Sequence, residues 1–257
     1  MLYIAVYQDE GVAGGFLPIW QRRLEEVFGS QLGLRFVNAK EVENILPGNT
    51  HMLIMPGGEE RFYHKALEER GNDAIINFVL NGGMYLGVCG GAYYACADID
   101  FTDKDGKKIK SERSLSFFPG TGVGSIPEYA GGQYYDDDPI TASVAEISWT
   151  GVGLGGKTAK SHYYHGGCFF VPGPSSVGQW QIAGMYPDGR IAAVQGGLGR
   201  GKFFLSGVHI EVDFNAYKDF LYTRYAQESD PVKEQCRSML ALDTEIFNHL
   251  MYRFLVK

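Results

Sequence analysis

The sequence predicts a doubly wound α/β fold on a mostly parallel sheet with β-rich insertions, and three observations carry that reading. Short apolar runs alternate with helix-period stretches through residues 1–100. Glycine turns, Pro56-Gly57-Gly58 and Gly87-Val88-Cys89-Gly90-Gly91, close the apolar runs at 51–55 and 84–88. The 257 residues are 45% hydrophobic and 21% charged, a globular balance far from that of disorder. Strand and helix in regular succession imply parallel strands joined by right-handed crossovers.

Leu2–Tyr7 reads as the first strand. Leu17–Phe28 follows as an amphipathic helix, because Leu17, Trp20, Leu24 and Phe28 fall on one stripe. Residues 34–37 and 51–55 read as the second and third strands, and 73–80 as a helix with Ile75, Ile76 and Val79 turned inward. The strand at 84–88 then runs into the Cys89 turn. From 101 to 170 the pattern changes. A charged hairpin tip at Asp105-Gly106 precedes stretches rich in Gly, Tyr and Phe, which read as β-rich excursions and loops over the sheet. Strand patterns return at 180–186, 191–195 and 202–208, with hairpin turns at Asp188-Gly189 and Gly199-Arg200-Gly201. Helices at 214–226 and 232–254 close the chain. Neither a repeat nor a low-complexity linker divides it, so 1–257 is expected to form one domain.

Net charge of −7 leaves no broad basic footprint, so the expected partner is a small-molecule or peptide substrate rather than nucleic acid or a membrane. The opening apolar run is too short for a secretion signal, and no stretch approaches the ~20 apolar residues of a spanning helix. Four widely spaced cysteines, Cys89, Cys96, Cys168 and Cys236, point to neither a disulfide framework nor a zinc pair. A reducing, cytoplasmic setting fits, although a chain whose export signal had been removed would read the same.

The pentapeptide G-x-C-x-G describes a strand that ends, a turn too tight for flanking side chains, and a helix that begins. A thiol there meets the unpaired N–H groups of a helix start, which favour the thiolate. A structural cysteine is nevertheless the commoner fate of a single Cys. Gly207-Val208-His209-Ile210-Glu211 supplies candidate partners, because in extended chain His209 and Glu211 share one face. Glu211 can then hold the His209 tautomer while His209 takes the Cys89 proton, a Cys–His–Glu triad. Gly57 and Gly58 follow a parallel strand at the same carboxyl edge, where the Gly58 N–H and the Gly90 N–H suit a developing oxyanion. Read alone, Pro-Gly-Gly is a plain turn and an isolated H-x-E a solvated strand end.

Taken together and in order, these motifs resemble the class I glutamine amidotransferase-like superfamily, a flavodoxin-like fold with a nucleophilic Cys in G-x-C-x-G and a late His-x-Glu. The resemblance implies catalytic roles for Cys89, His209 and Glu211. Within it, "GVCGGAYYAC", "FFPGTGVGS" and "HYYHGGCFF" look like the N-terminal domain of eukaryotic biotin-protein ligases and its stand-alone relatives. Two departures matter. Glutaminases of the fold usually carry Gln four residues after the nucleophile, where this chain has Tyr93, and no G-R-G-R-x-G ligase signature occurs. Biotin transfer is therefore not expected.

The expected activity is a cysteine-dependent hydrolase or amidotransferase acting on an amide or related carbonyl, with no cofactor or metal. The alternative is a catalytically inactive ligand-binding or regulatory module. Tyr93, Tyr164 and His165 are expected to wall the substrate pocket, and the aromatic middle segment is compatible with a homodimer. Three weaker signals read as structural. His162, His165 and Cys168 cannot converge along a strand, Asp136-Asp137-Asp138 lacks calcium-loop spacing and reads as a solvated turn before Pro139, and Gly11–Gly15 is not a phosphate loop.

Overall fold

Short apolar runs buried on both faces build the middle of the sheet, and a computed structural model of the chain gives its order. The structure describes residues 1–46, 48–138, 141–150, 158–174, 180–222 and 229–255. Five strands form a parallel core in the order β2 (Leu32–Val37), β1 (Leu2–Tyr7), β3 (Met52–Met55), β4 (Met84–Val88) and β13 (Gly201–Ser206). Along β1, Ile4 and Val6 enter one apolar cluster while Ala5 and Tyr7 enter the other, so both faces are covered, as parallel sheets require. On the first face lie α1 (Leu17–Phe28) and α7 (Glu245–Leu255), whose Trp20 and Phe247 are both fully buried. Burying each large side chain of this kind contributes ~1.5–3 kcal/mol. The second face receives Tyr63, Ile75 and Val79 from α3 (Glu60–Leu80).

Beyond β13 the sheet turns antiparallel, through β12 (Ile191–Leu198) and β10 (Phe169–Pro172) to β7 (Phe118–Gly124). β5 (Cys96–Thr102) pairs parallel with β7, and β6 (Lys108–Glu112) closes that edge. A side branch, β11 (Trp180–Met185), β8 (Ser143–Trp149) and β9 (Thr158–Tyr164), leaves from β12. Two hairpins bear out the expected turns at 188–189 and 199–201. The middle region corrects the expectation of excursions over the sheet: β5, β6, β7 and β10 lengthen the sheet itself.

Helix boundaries differ in three places. Helix α3 starts thirteen residues earlier than 73, at Glu60, and is interrupted at Glu68, where φ is 47°. The expected helix at 214–226 is α5 (Phe214–Ala216) running into a π turn over Tyr217–Leu221, and 223–226 lie outside the described residues. The expected helix at 232–254 is two, α6 (Asp230–Ser238) and α7, because the intervening chain bonds across to β9: the Asp243 N–H donates to the Ser161 carbonyl at 2.9 Å. Asp243 Oδ1 then accepts from the Glu245 N–H, opening α7. Helix α2 (Ala39–Ile45), which the sequence reading omitted, begins at an Asn38–Glu41 capping box. No helix of the described residues is long and apolar enough to cross a membrane.

Candidate active site

Cys89 lies between β4 and the short helix α4 (Gly90–Tyr94), with φ 50° and ψ −110°. A non-glycine residue held there costs ~1–3 kcal/mol, which the surrounding structure must over-determine. It does so with backbone bonds: the Cys89 N–H donates to Ser206 of β13, and the Cys89 carbonyl accepts from Ala92 and Tyr93. The result aims the thiol out of the carboxyl edge of the sheet, 8% exposed, where Sγ–H donates to the His165 carbonyl at 3.6 Å. Helix α4 is only five residues long, and its first N–H groups go to backbone: Gly91 donates to the Pro56 carbonyl, and Ala92 and Tyr93 to the Cys89 carbonyl.

Three residues beyond β13, the next strand in the sheet, His209 is anchored through its N–H to the Tyr163 carbonyl at 2.9 Å. Its ring stacks on Phe16, with centroids 4.3 Å apart, and meets Tyr163 edge-on at 5.6 Å. Nδ1–H donates to Glu211 Oε1 at 2.8 Å, in a pair with Glu211 fully buried. That bond fixes the tautomer and turns Nε2 toward the elbow. Both groups border one point: a Cβ on Gly57 would lie 3.3 Å from His209 Nε2 and 3.4 Å from the Cys89 Cβ. Burial lowers the imidazole pKa, but the Glu211 carboxylate and the neighbouring Cys89 outweigh it, and the pKa is pushed up to about 10.

Gly58 lies directly against Gly90. A Cβ on Gly90 would meet the Gly58 carbonyl oxygen at 2.3 Å and its nitrogen at 2.9 Å, so the two backbones touch only because residue 90 has no side chain. The turn is held from beneath by Tyr63, whose hydroxyl reaches the Gly57 and Pro56 carbonyls at 3.2 and 3.3 Å. Behind it, Arg113 and Glu60 form a part-buried ion pair at 2.7 Å that ties the end of β6 to the start of α3.

Of the residues expected to wall a pocket, His165 adjoins the thiol through its carbonyl. Its ring is held elsewhere: Nε2–H donates to the Asp136 carbonyl at 3.0 Å, with Thr141 Oγ1 also at 3.0 Å. Burial and the neighbouring His209 push the His165 pKa down to about 4. Tyr93 and Tyr164 are buried, with their hydroxyls committed to the Gly166 and Gly167 carbonyls at 3.2 and 3.0 Å. Through these bonds they brace the 165–168 loop whose His165 carbonyl meets the thiol. The acidic run is also more than a solvated turn, since its Asp136 and Asp138 carbonyls hold His165 and Thr141; Pro139 lies outside the described residues. His162 faces away from His165 and accepts from Trp149 Nε1 at 2.9 Å.

Sequence reasoning missed Phe16, Tyr63, Tyr163 and Thr141. Tyr163 stood in a quoted motif, but strand parity alone does not tell which of Tyr163 and Tyr164 faces the histidine. Phe16, Tyr63 and Thr141 reach the site through tertiary packing, which leaves no local pattern.

The profile of the family described as biotin-protein ligase, N terminal, matches residues 2–255. An uncharacterized protein of Chlamydia muridarum is 31% identical over 217 residues, covering 82% of this chain and 81% of that one. A biotin–protein ligase of Schizosaccharomyces pombe is 31% identical over 186 residues, 69% of this chain but 28% of the ligase. The crystal structure of a glutamine amidotransferase from Thermotoga maritima aligns over 100% of this chain and 99% of its own, with a TM-score of 0.54 at 11% identity, a likeness of fold. The match over 2–255 is nearly the whole chain, and with it the chain belongs to the biotin-protein ligase N-terminal family, on a glutamine amidotransferase-like fold.

Proposed function

We propose that the protein is a cysteine-dependent hydrolase or amidotransferase acting on an amide or related carbonyl through Cys89, His209 and Glu211. The observation that carries this reading is the relay itself: a fully buried Glu211 holds His209 Nδ1–H at 2.8 Å, leaving Nε2 for a thiol on a strained elbow. His209 Nε2 is the base that takes the Cys89 proton when the sulfur attacks.

In the reaction so read, the thiolate attacks the carbonyl carbon and the C=O electron pair moves to oxygen. The N–H groups of Gly58 and Gly90 hold that oxyanion. As the oxyanion collapses, His209 gives its proton to the departing amine and the C–N bond breaks, leaving a thioester. His209 next takes a proton from water, or from an acceptor amine, whose attack breaks the C–S bond and returns the thiol.

A panel of small carboxamides and peptide amides, read by release of ammonia or amine with Cys89→Ala as blank, tests the reading. Release that disappears in Cys89→Ala is expected, and release that survives it would contradict the assignment. One observation favours a binding module without turnover: Cys89 is 8% and His209 1% exposed, so the site is nearly closed. Saturable ligand binding at Cys89 with no amine release in the same panel would select that reading.

A further inference from the structure

Helix α1 begins without a capping side chain. Its N-cap position is held by Phe16, which makes no capping bond at a place where Ser, Thr, Asn or Asp favours a helix. A residue that breaks a local rule is expected to serve something outside its own element. Phe16 lies flat on His209, with centroids 4.3 Å apart and ring planes within 13° of parallel, and it is itself buried.

The backbone holds the ring in that place from both sides. Ahead of it, the 11–13 loop is joined to the glycine turn: the Ala13 N–H donates to the Gly57 carbonyl at 3.1 Å, and the Glu59 N–H donates to the Gly11 carbonyl at 2.8 Å. The Phe16 N–H donates to the Ala13 carbonyl, and its own carbonyl accepts from the Trp20 N–H, opening α1. Further along α1, Arg22 Nη2 donates to Asp213 Oδ1 at 2.8 Å, two residues beyond Glu211. One continuous segment, 11–22, therefore grips the Gly57–Gly58 turn at one end and the chain carrying His209 and Glu211 at the other.

The edges of the imidazole are met by other elements. Glu211 takes Nδ1–H, Tyr163 of β9 approaches edge-on, and a Cβ on Gly57 would fall 2.6 Å from Cε1. Among its titratable neighbours, Glu211 and Cys89 favour the protonated ring, whereas the charges of His165 and His209 oppose each other. Phe16 adds a face to these edges. An aromatic face within ~6 Å of a cation attracts it, and stacking fixes the plane of the ring it covers.

We propose that Phe16 is a positioning residue for the thiol chemistry, setting the plane of the His209 ring and favouring its protonated form through the stack. The role rests on the reading of Cys89, His209 and Glu211 as a relay.

Histidine side-chain NMR follows the titration of His209, assigned by loss of its signal in His209→Gln, and iodoacetamide reads Cys89 alongside. In Phe16→Leu, which keeps apolar bulk but has no flat face, His209 should titrate about one pKa unit lower, and Cys89 should be alkylated roughly tenfold more slowly near neutral pH. Phe16→Tyr keeps the face and should restore both. Leu24→Val, a small cavity about two turns further along the same helix, should lower the urea midpoint and leave both readouts unchanged. Wild-type titration and labelling in Phe16→Leu, or an equal change in Leu24→Val, would overturn the proposal. The His209 signal needs no turnover, so a failure of the proposed function, read as amine release that survives Cys89→Ala, is told apart from a failure of the stack.

Discussion

The turn after β4 and the interior behind it hold three thiols of the same chain in contrasting settings. Cys96 and Cys168 are fully buried, and burial pushes both well above the usual thiol range. Cys96 spends its S–H on the Ala92 carbonyl at 3.4 Å. Cys89 differs in a positive φ that lifts it out of the sheet edge and in a histidine already paired to a carboxylate. What separates the three thiols is surroundings: Cys96 and Cys168 are closed in by apolar packing, whereas Cys89 has a histidine–carboxylate pair beside it.

The comparison breaks most visibly at its carboxylate. Glu211→Ala strips the counter-charge from a buried imidazolium, and the expected loss is ~3–5 kcal/mol of stability, checked by urea unfolding. A variant as stable as wild type would mean that the pair does not hold the site. Next in size is the contrast between the thiols themselves. Iodoacetamide should modify Cys89 at least ~100-fold faster than Cys96 or Cys168 near neutral pH, equivalent to two pKa units of thiolate fraction, with sites assigned by mass spectrometry. Tyr63→Phe removes the donor beneath Gly57 and should cost ~1 kcal/mol in the same unfolding assay while slowing any Cys89-dependent turnover more than it weakens binding.

The same two histidines can be read through the pH dependence of stability. The His209 pKa is raised in the folded state, so its stabilisation is complete below the unfolded value near 6.5 and is lost as pH rises toward about 10. His165 runs the other way, with a folded pKa near 4. Its neutral form is the one the fold accepts, so stability present above pH 6.5 falls as pH drops toward 4. His209→Gln should flatten the alkaline slope and His165→Gln the acid one, in Tm against pH.

Much of this was legible in residue order. The first strand and first helix fell where hydrophobic period put them, because both lie on a two-sided core whose pattern is local. The elbow and the His209–Glu211 face could be read because G-x-C-x-G and H-x-E are short-range statements about backbone and parity. The 101–170 region was not legible as sheet, since three of the buried positions of its β7 strand are Gly120, Gly122 and Gly124, which give no apolar signal, and the strand is defined by pairing with β5 and β10. The break at 239–244 escaped for a similar reason: the Asp243 bond to Ser161 joins residues distant in sequence.

The most direct test of the central claim is the pH dependence of Cys89 alkylation in the wild type and in His209→Ala. The account predicts fast labelling of Cys89 near neutral pH, where a free thiol reacts slowly, and loss of that advantage in the variant. Labelling as slow as that of a free thiol, unchanged by His209→Ala, would contradict it.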